Sequence, residues 1–108
     1  MAVPYTSTTW IVKAGHEDEF VRRWSEFAQW SEGQGLSAQA MLLRDVDDPT
    51  RFVSFGPWES LDVIGRWRTL PGFHERVALL NDVLEQFEPR TLQVVAEHRP
   101  HSLFTKRP

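Results

Sequence analysis

A chain of 108 residues, 41% hydrophobic and 25% charged, fits one globular domain and is too short for a comfortable second. Its net charge of −3 lacks the clustered basic excess that phosphate backbones require, so nucleic acid is not an expected partner. The absence of cysteine rules out disulfides, thiolate metal sites and cysteine nucleophiles, and it suits a reducing cytoplasm.

Tyr5 to Val12 is rich in β-branched and aromatic residues and reads as a strand. It begins after Met1-Ala2-Val3-Pro4, which lacks the basic-then-apolar order of a signal peptide. No apolar run approaches the roughly 20 residues of a membrane helix, so no membrane association is expected. Glu17, Asp18 and Glu19 sit where a helix N-terminus favours negative charge, with Arg22 and Arg23 as i,i+4 partners of Asp18 and Glu19. Phe20, Trp24 and Phe27 then form a helical stripe to about Ser31. A turn at Glu32-Gly33-Gln34-Gly35 leads to two strands, Ala38 to Arg44 and Arg51 to Trp58. The acidic, proline-containing connection between them suits a long hairpin loop.

Both hairpin strands carry apolar residues on both faces, so the sheet is expected to be covered on both sides. Ser60 suits the N-cap of a short helix with Leu61, Ile64 and Trp67, which Pro71-Gly72 interrupts. Phe73, Val77, Leu80, Leu84 and Phe87 continue at helical spacing. Pro89 is expected to end that helix, and Thr91 to Ala96 to form the last strand. The order is β-α-β-β-α-β, an α+β, ferredoxin-like antiparallel sheet with its helices on one face. Ile11, Val53 and Phe55 would remain on the open face, and a sheet-to-sheet homodimer would cover them. Residues 1–97 form the expected domain, and 98–108 a polar tail whose Leu103-Phe104 could reach the partner subunit.

Two stretches now carry a family resemblance: Trp10 to Phe20 at the first strand-to-helix turn, and Phe52 to Ser60 followed by Trp67. A strand ending in Trp58-Glu59-Ser60, with another tryptophan nine residues after Trp58, resembles the antibiotic biosynthesis monooxygenase family of the dimeric α/β-barrel superfamily. The resemblance spans Tyr5 to Glu97. It implies a homodimer with a pocket between each sheet and its own helices. Some members oxidise polycyclic aromatic polyketides, in secondary metabolism, with molecular oxygen and no metal or flavin. Others degrade haem, and fold alone does not choose between them.

Thr6, Thr8, Trp10 and Val12 share one strand face by alternation, and Phe52, Ser54, Gly56 and Trp58 share another. The resemblance turns these faces toward the helices, where Trp24, Phe27 and Trp67 approach. Trp10, Trp24, Phe27, Trp58 and Trp67 would then line an aromatic box for a flat ligand, with Thr8 and Ser54 orienting its polar substituents. Core filling is the competing reading of these rings, and Trp30 suits the surface equally well.

Trp67 matches a tryptophan of the haem-degrading branch. Thr8 and Val77 stand where that branch has its asparagine and histidine, and His74 is one helical turn from the second position. The quinone-forming branch matches at Trp58 and departs at Ser54 and Ile64, with Arg76 near its arginine. His74 is the candidate base, since an imidazole titrates near neutrality. His98 and His101 have no third partner, so no metal site is expected. The resulting expectation is a cofactor-independent monooxygenase of an aromatic small molecule, with Trp67 and His74 catalytic. A dimeric binding module using the same pocket is the alternative.

Overall fold

The structure, a computed structural model, describes residues 3–36 and 39–98. Strands β1 (Pro4–Val12), β2 (Met41–Arg44), β3 (Arg51–Pro57) and β4 (Leu84–Gln93) form one antiparallel sheet in the order β2-β3-β1-β4. Helices α1 (Glu17–Gly33), α2 (Leu61–Arg68) and α3 (Phe73–Asn81) provide the connections, giving the ferredoxin-like α+β fold. No described helix is long and apolar enough to cross a membrane.

Alternation decides which side chains meet the helices. Trp10 and Val12 of β1 and Phe52 of β3 are buried against Phe20 of α1, Leu80 of α3, Val83 and Leu84. Phe20 is fully buried, with its ring 5.0 Å from Phe52 and 5.4 Å from Trp10. Such close-packed aromatic contacts each add stabilisation beyond their burial. The opposite sheet face carries Met41, Leu43, Val53 and Phe55, paired Met41 with Phe55 and Leu43 with Val53. Met41 and Leu43 are about half exposed, so this face is apolar and open in the single chain.

Local chemistry marks the helix ends. Ser60 Oγ accepts a hydrogen bond from Val63 N at 3.2 Å, the N-cap that fixes the start of α2. Gly72, at φ +91°, makes the left-handed turn between α2 and α3. Arg23 donates to Glu19 Oε2 at 2.6 Å and to the Leu79 carbonyl, tying α1 to α3. Arg22 pairs with Glu26 and Glu19; Asp18, its expected partner, takes no part.

The last third of the chain differs from expectation. Helix α3 ends at Asn81, and Leu84 and Phe87 belong to β4, which runs through Pro89 and stops at Gln93 before Val94-Val95-Ala96. Val83 N donates to Leu80 O and Lys13 N to Val83 O, so the chain turns out of α3 directly into pairing with β1. A register shift between Ile11 and Val12 sets Leu84 opposite Val12. Pro89 is accommodated because β4 is an edge strand, where one flank of the backbone needs no ladder donor. At the other edge, β2 begins at Met41, later than expected. Gln39 and Ala40 cross close over Gly56, and Ala38 lies outside the described residues. Of the expected tail 98–108, all but His98, Leu103-Phe104 included, also lies outside the described residues.

Candidate functional site

Away from the Phe20 core, the sheet and helices separate and leave a cavity of about 500 Å³. Its floor is the inner sheet face, from Thr6, Thr8 and Trp10 of β1 and Ser54 and Gly56 of β3 to Phe87 and Thr91 of β4. Its roof combines Trp24, Phe27 and Ser31 of α1, Trp67 and Arg68 of α2, and Phe73, His74 and Val77 of α3. A cavity of this size with mostly apolar walls and a few polar groups is the usual form of a small-molecule site.

The tryptophans are held by hydroxyls. Trp10 Nε1 donates to Ser54 Oγ at 2.9 Å, Trp58 Nε1 to Thr6 Oγ1 at 2.8 Å, and Trp67 Nε1 to Ser31 Oγ at 2.8 Å. Ser31 in turn donates to the Phe27 carbonyl at 3.0 Å, so this buried hydroxyl is satisfied on both sides. These bonds orient each indole and leave its face to the cavity. Trp58 and Trp67 lie 4.7 Å apart at 41°, Trp67 and Phe73 4.9 Å apart at 80°, and Phe27 and Trp67 5.7 Å apart. The result is a rigid set of ring faces and edges suited to a flat conjugated molecule.

Gly56 shapes the wall beside them. A Cβ at this position would come within 2.2 Å of the Gln39 carbonyl oxygen, so only glycine lets the segment before β2 lie across β3. That crossing brings Gln39 and Ala40 into the cavity lining.

All eight expected site residues, Thr8, Trp10, Trp24, Phe27, Ser54, Trp58, Trp67 and His74, line this one cavity. Their surroundings differ from expectation in three respects. Ser54 is buried and already accepts from Trp10, so its own O–H and one remaining lone pair are what it could offer a ligand. Trp10 belongs as much to the closed core, stacked on Phe87 at 5.6 Å, as to the cavity. His74 is exposed at the rim and among the described residues pairs with no carboxylate; its ring meets only Phe73, edge-on at 5.6 Å.

Arg76 stands outside the lining, its guanidinium 5.5 Å over the Trp30 ring. Ile64 is buried behind the cavity with Trp58 and Val63. His98 is exposed, and His101 lies outside the described residues. Among the described residues no three His, Asp or Glu side chains gather as a metal site. Thr6, Ser31, Gln39, Arg68, Phe73 and Phe87 are lining residues absent from the expected set. Thr6 shares the strand face of Thr8 and Trp10, and Ser31 follows Phe27 by one helical turn, so periodicity alone could have added both. Nothing local in the sequence marks Arg68.

The sequence model of the antibiotic biosynthesis monooxygenase family matches residues 6–79. Among curated proteins, none matches the chain. Among solved structures, SnoaB, a cofactor-independent oxygenase from Streptomyces nogalater, is similar with a TM-score of 0.77 and 20% identity, over 93% of this chain and 98% of that one. A protein of Pseudomonas aeruginosa gives a TM-score of 0.73 at 17% identity, over 89% and 97% of the two chains. A conserved protein of Methanosarcina mazei Go1 gives 0.73 at 15%, over 84% and 91%. At these identities the structural likeness speaks for the fold, and the family match covers most of the chain, including most of β1, all of β3 and Trp67. The chain belongs to the antibiotic biosynthesis monooxygenase family.

Proposed function

We propose that the protein is a homodimeric oxygenase that oxidises an aromatic or polyketide-like small molecule with molecular oxygen and without a bound cofactor. The observation that carries this reading is the cavity whose indoles are oriented by Thr6, Ser31 and Ser54. It is wide enough for fused rings, and its apolar walls would exclude most water from a reactive anion.

An anthrone illustrates the balanced reaction. A base removes a proton from its methylene carbon, and the resulting anion passes one electron to oxygen. Recombination of the two radicals forms a carbon–oxygen bond, the peroxide anion takes the proton back from the base, and the hydroperoxide loses water to leave a quinone. One anthrone and one oxygen molecule thus give one quinone and one water. His74, at the rim on the first turn of α3, is the base in this scheme, while Trp58 and Trp67 hold the rings and Thr8 and Ser54 face their oxygens. The cytoplasm is the compartment that suits a chain without cysteine. The open sheet face, with Met41, Leu43, Val53 and Phe55, supports sheet-to-sheet dimerisation. Sedimentation at micromolar concentration is expected to give a dimer, and a stable monomer would remove that part of the proposal.

A second reading, a binding module without turnover, is favoured by one observation: His74 is exposed and among the described residues has no carboxylate to orient it. Oxygen uptake by the metal-free protein with hydroxylated anthrones separates the two. Protein-dependent uptake with quinone formation, lost in His74→Ala while the ligand still quenches tryptophan fluorescence, is the expected result. Quenching without uptake would favour the binding module.

A further inference from the structure

The chain holds 15 acidic and 12 basic residues, yet the described cavity lining contains no aspartate, glutamate or lysine. Its charged members are Arg68 and Arg90, with His74 as a third titratable group. Arg90 is accounted for: its register opposite Ser7 sets it on the open sheet face, where it pairs with Glu88 at 3.0 Å. Arg68 is different. It is half-buried at the end of α2, directly after Trp67, and it reaches across to β4, where one of its nitrogens donates to Thr91 Oγ1 at 3.0 Å. Of the two lining arginines, Arg90 pairs with a carboxylate, whereas Arg68, like Arg44, Arg66 and Arg76 outside the lining, pairs with none among the described residues.

A guanidinium has five N–H donors in a planar fork, and a neutral hydroxyl uses one of them. Arg68 therefore presents an uncompensated charge and spare donors at the edge of a cavity lined by rings. The interior leans the same way. Thr6 and Ser54 already accept from indoles and keep their own O–H to give, and the Thr8 hydroxyl makes no hydrogen bond among the described residues. The wall is thus complementary to a ligand that brings acceptors and negative charge.

We infer that Arg68 selects an aromatic carboxylate, gripping its anionic group at the cavity mouth while the rings lie between Trp58, Trp67 and the sheet. This rests on the reading of the cavity as a ligand site and adds the charge class of its ligand. Arg68 is a specificity determinant here and takes no part in oxygen chemistry. The planar fork matches a carboxylate better than a single oxygen, and the partial burial of Arg68 limits screening by solvent.

The test compares naphthoate with naphthalenemethanol, which share a ring system and differ in charge, by quenching of tryptophan fluorescence. The wild-type protein is expected to prefer naphthoate by about tenfold, the scale of one charge-assisted hydrogen bond. Arg68→Met should abolish the preference while changing naphthalenemethanol affinity by less than about twofold, which also reports an intact cavity. Arg68→Lys should retain part of the preference, and Arg66→Gln, on the same helix outside the lining, all of it. Equal wild-type affinities, or a preference that survives Arg68→Met, would overturn the inference and leave the oxygenase proposal standing if anthrones still consume oxygen. Failure of both probes to bind would overturn the cavity reading and the inference with it.

Discussion

At one end of the space between sheet and helices, Phe20 sits between Trp10 and Phe52, and Val12, Leu80 and Leu84 fill what the rings leave. At the other end, Trp58, Trp67, Phe27 and Phe73 are as close to one another, yet they surround a void of about 500 Å³. The difference lies in what restrains the rings. In the closed end they are held by contact on every side, as in any close-packed core. In the open end α2 has eight residues before the break at Pro71-Gly72, and Val63, Ile64 and Leu36 pack with Trp58 and Trp67 on one side while the other side borders the cavity. Indole N–H bonds to Thr6 and Ser31 add to that packing in holding the rings. Aromatic residues can serve as core or as a binding surface, and a side left without packing tells the two apart.

Substitutions at the closed end should act on stability, and those at the open end on ligand affinity. Phe20→Ala is the largest expected effect, about 3–5 kcal/mol in urea unfolding, because a fully buried ring is lost and a cavity is left behind. A cost under about 1 kcal/mol would mean that the closed end is not the core of the fold. Gly56→Ala should follow at about 1–3 kcal/mol, because the new methyl meets backbone and Gln39 must move. That shift alters the cavity wall too, so ligand quenching should weaken in the same protein.

Ser54→Ala tests the boundary between the two ends, since it leaves the buried Trp10 indole without an acceptor, at a cost of about 1–3 kcal/mol. Combining it with Trp10→Phe should cost less than the sum of the single changes, a coupling read by a double-mutant cycle. Ser31→Ala should cost only about 1 kcal/mol, because Trp67 is half-buried, and should weaken ligand quenching more than it weakens the fold. The opposite ranking would make Trp67 part of the core.

The smallest effect belongs to the α1 surface. The hydrogen bond from Arg23 holds the Glu19 carboxyl below the usual glutamate range. A depressed folded value means that the contribution is present above the ordinary carboxylate range and is lost as pH falls through the lowered value. Glu19→Gln should therefore flatten the acid side of the stability profile slightly and leave ligand binding untouched, as expected for a half-exposed pair outside the cavity lining.

Several elements were legible because their cause is local. The β-branched run of β1, the apolar stripe of α1 and the Ser60 cap each depend on residues within one or two turns of one another. The α3-to-β4 passage was not legible. Leu80, Leu84 and Phe87 fit helical spacing, yet pairing with β1 draws Leu84 and Phe87 into a strand. Intrinsic periodicity over five residues is weaker than a full ladder of backbone hydrogen bonds and the stacking of Phe87 on Trp10.

The site divides in the same way. Alternation along β1 and β3 put Thr8, Trp10, Ser54 and Trp58 on common strand faces, and it was the family resemblance that turned those faces toward the helices carrying Trp24, Phe27, Trp67 and His74. Whether the layer between them would be filled or hollow was decided only by the tertiary structure. The bonds that answer it join residues 36 to 52 positions apart, Ser31 to Trp67 and Thr6 to Trp58, and the arginine at its mouth meets β4 from 23 positions away. Periodicity reports which face of an element is apolar. The distance between two such faces depends on helix length, on the break at Pro71-Gly72 and on the close crossing at Gly56, and these act together only once the chain has closed.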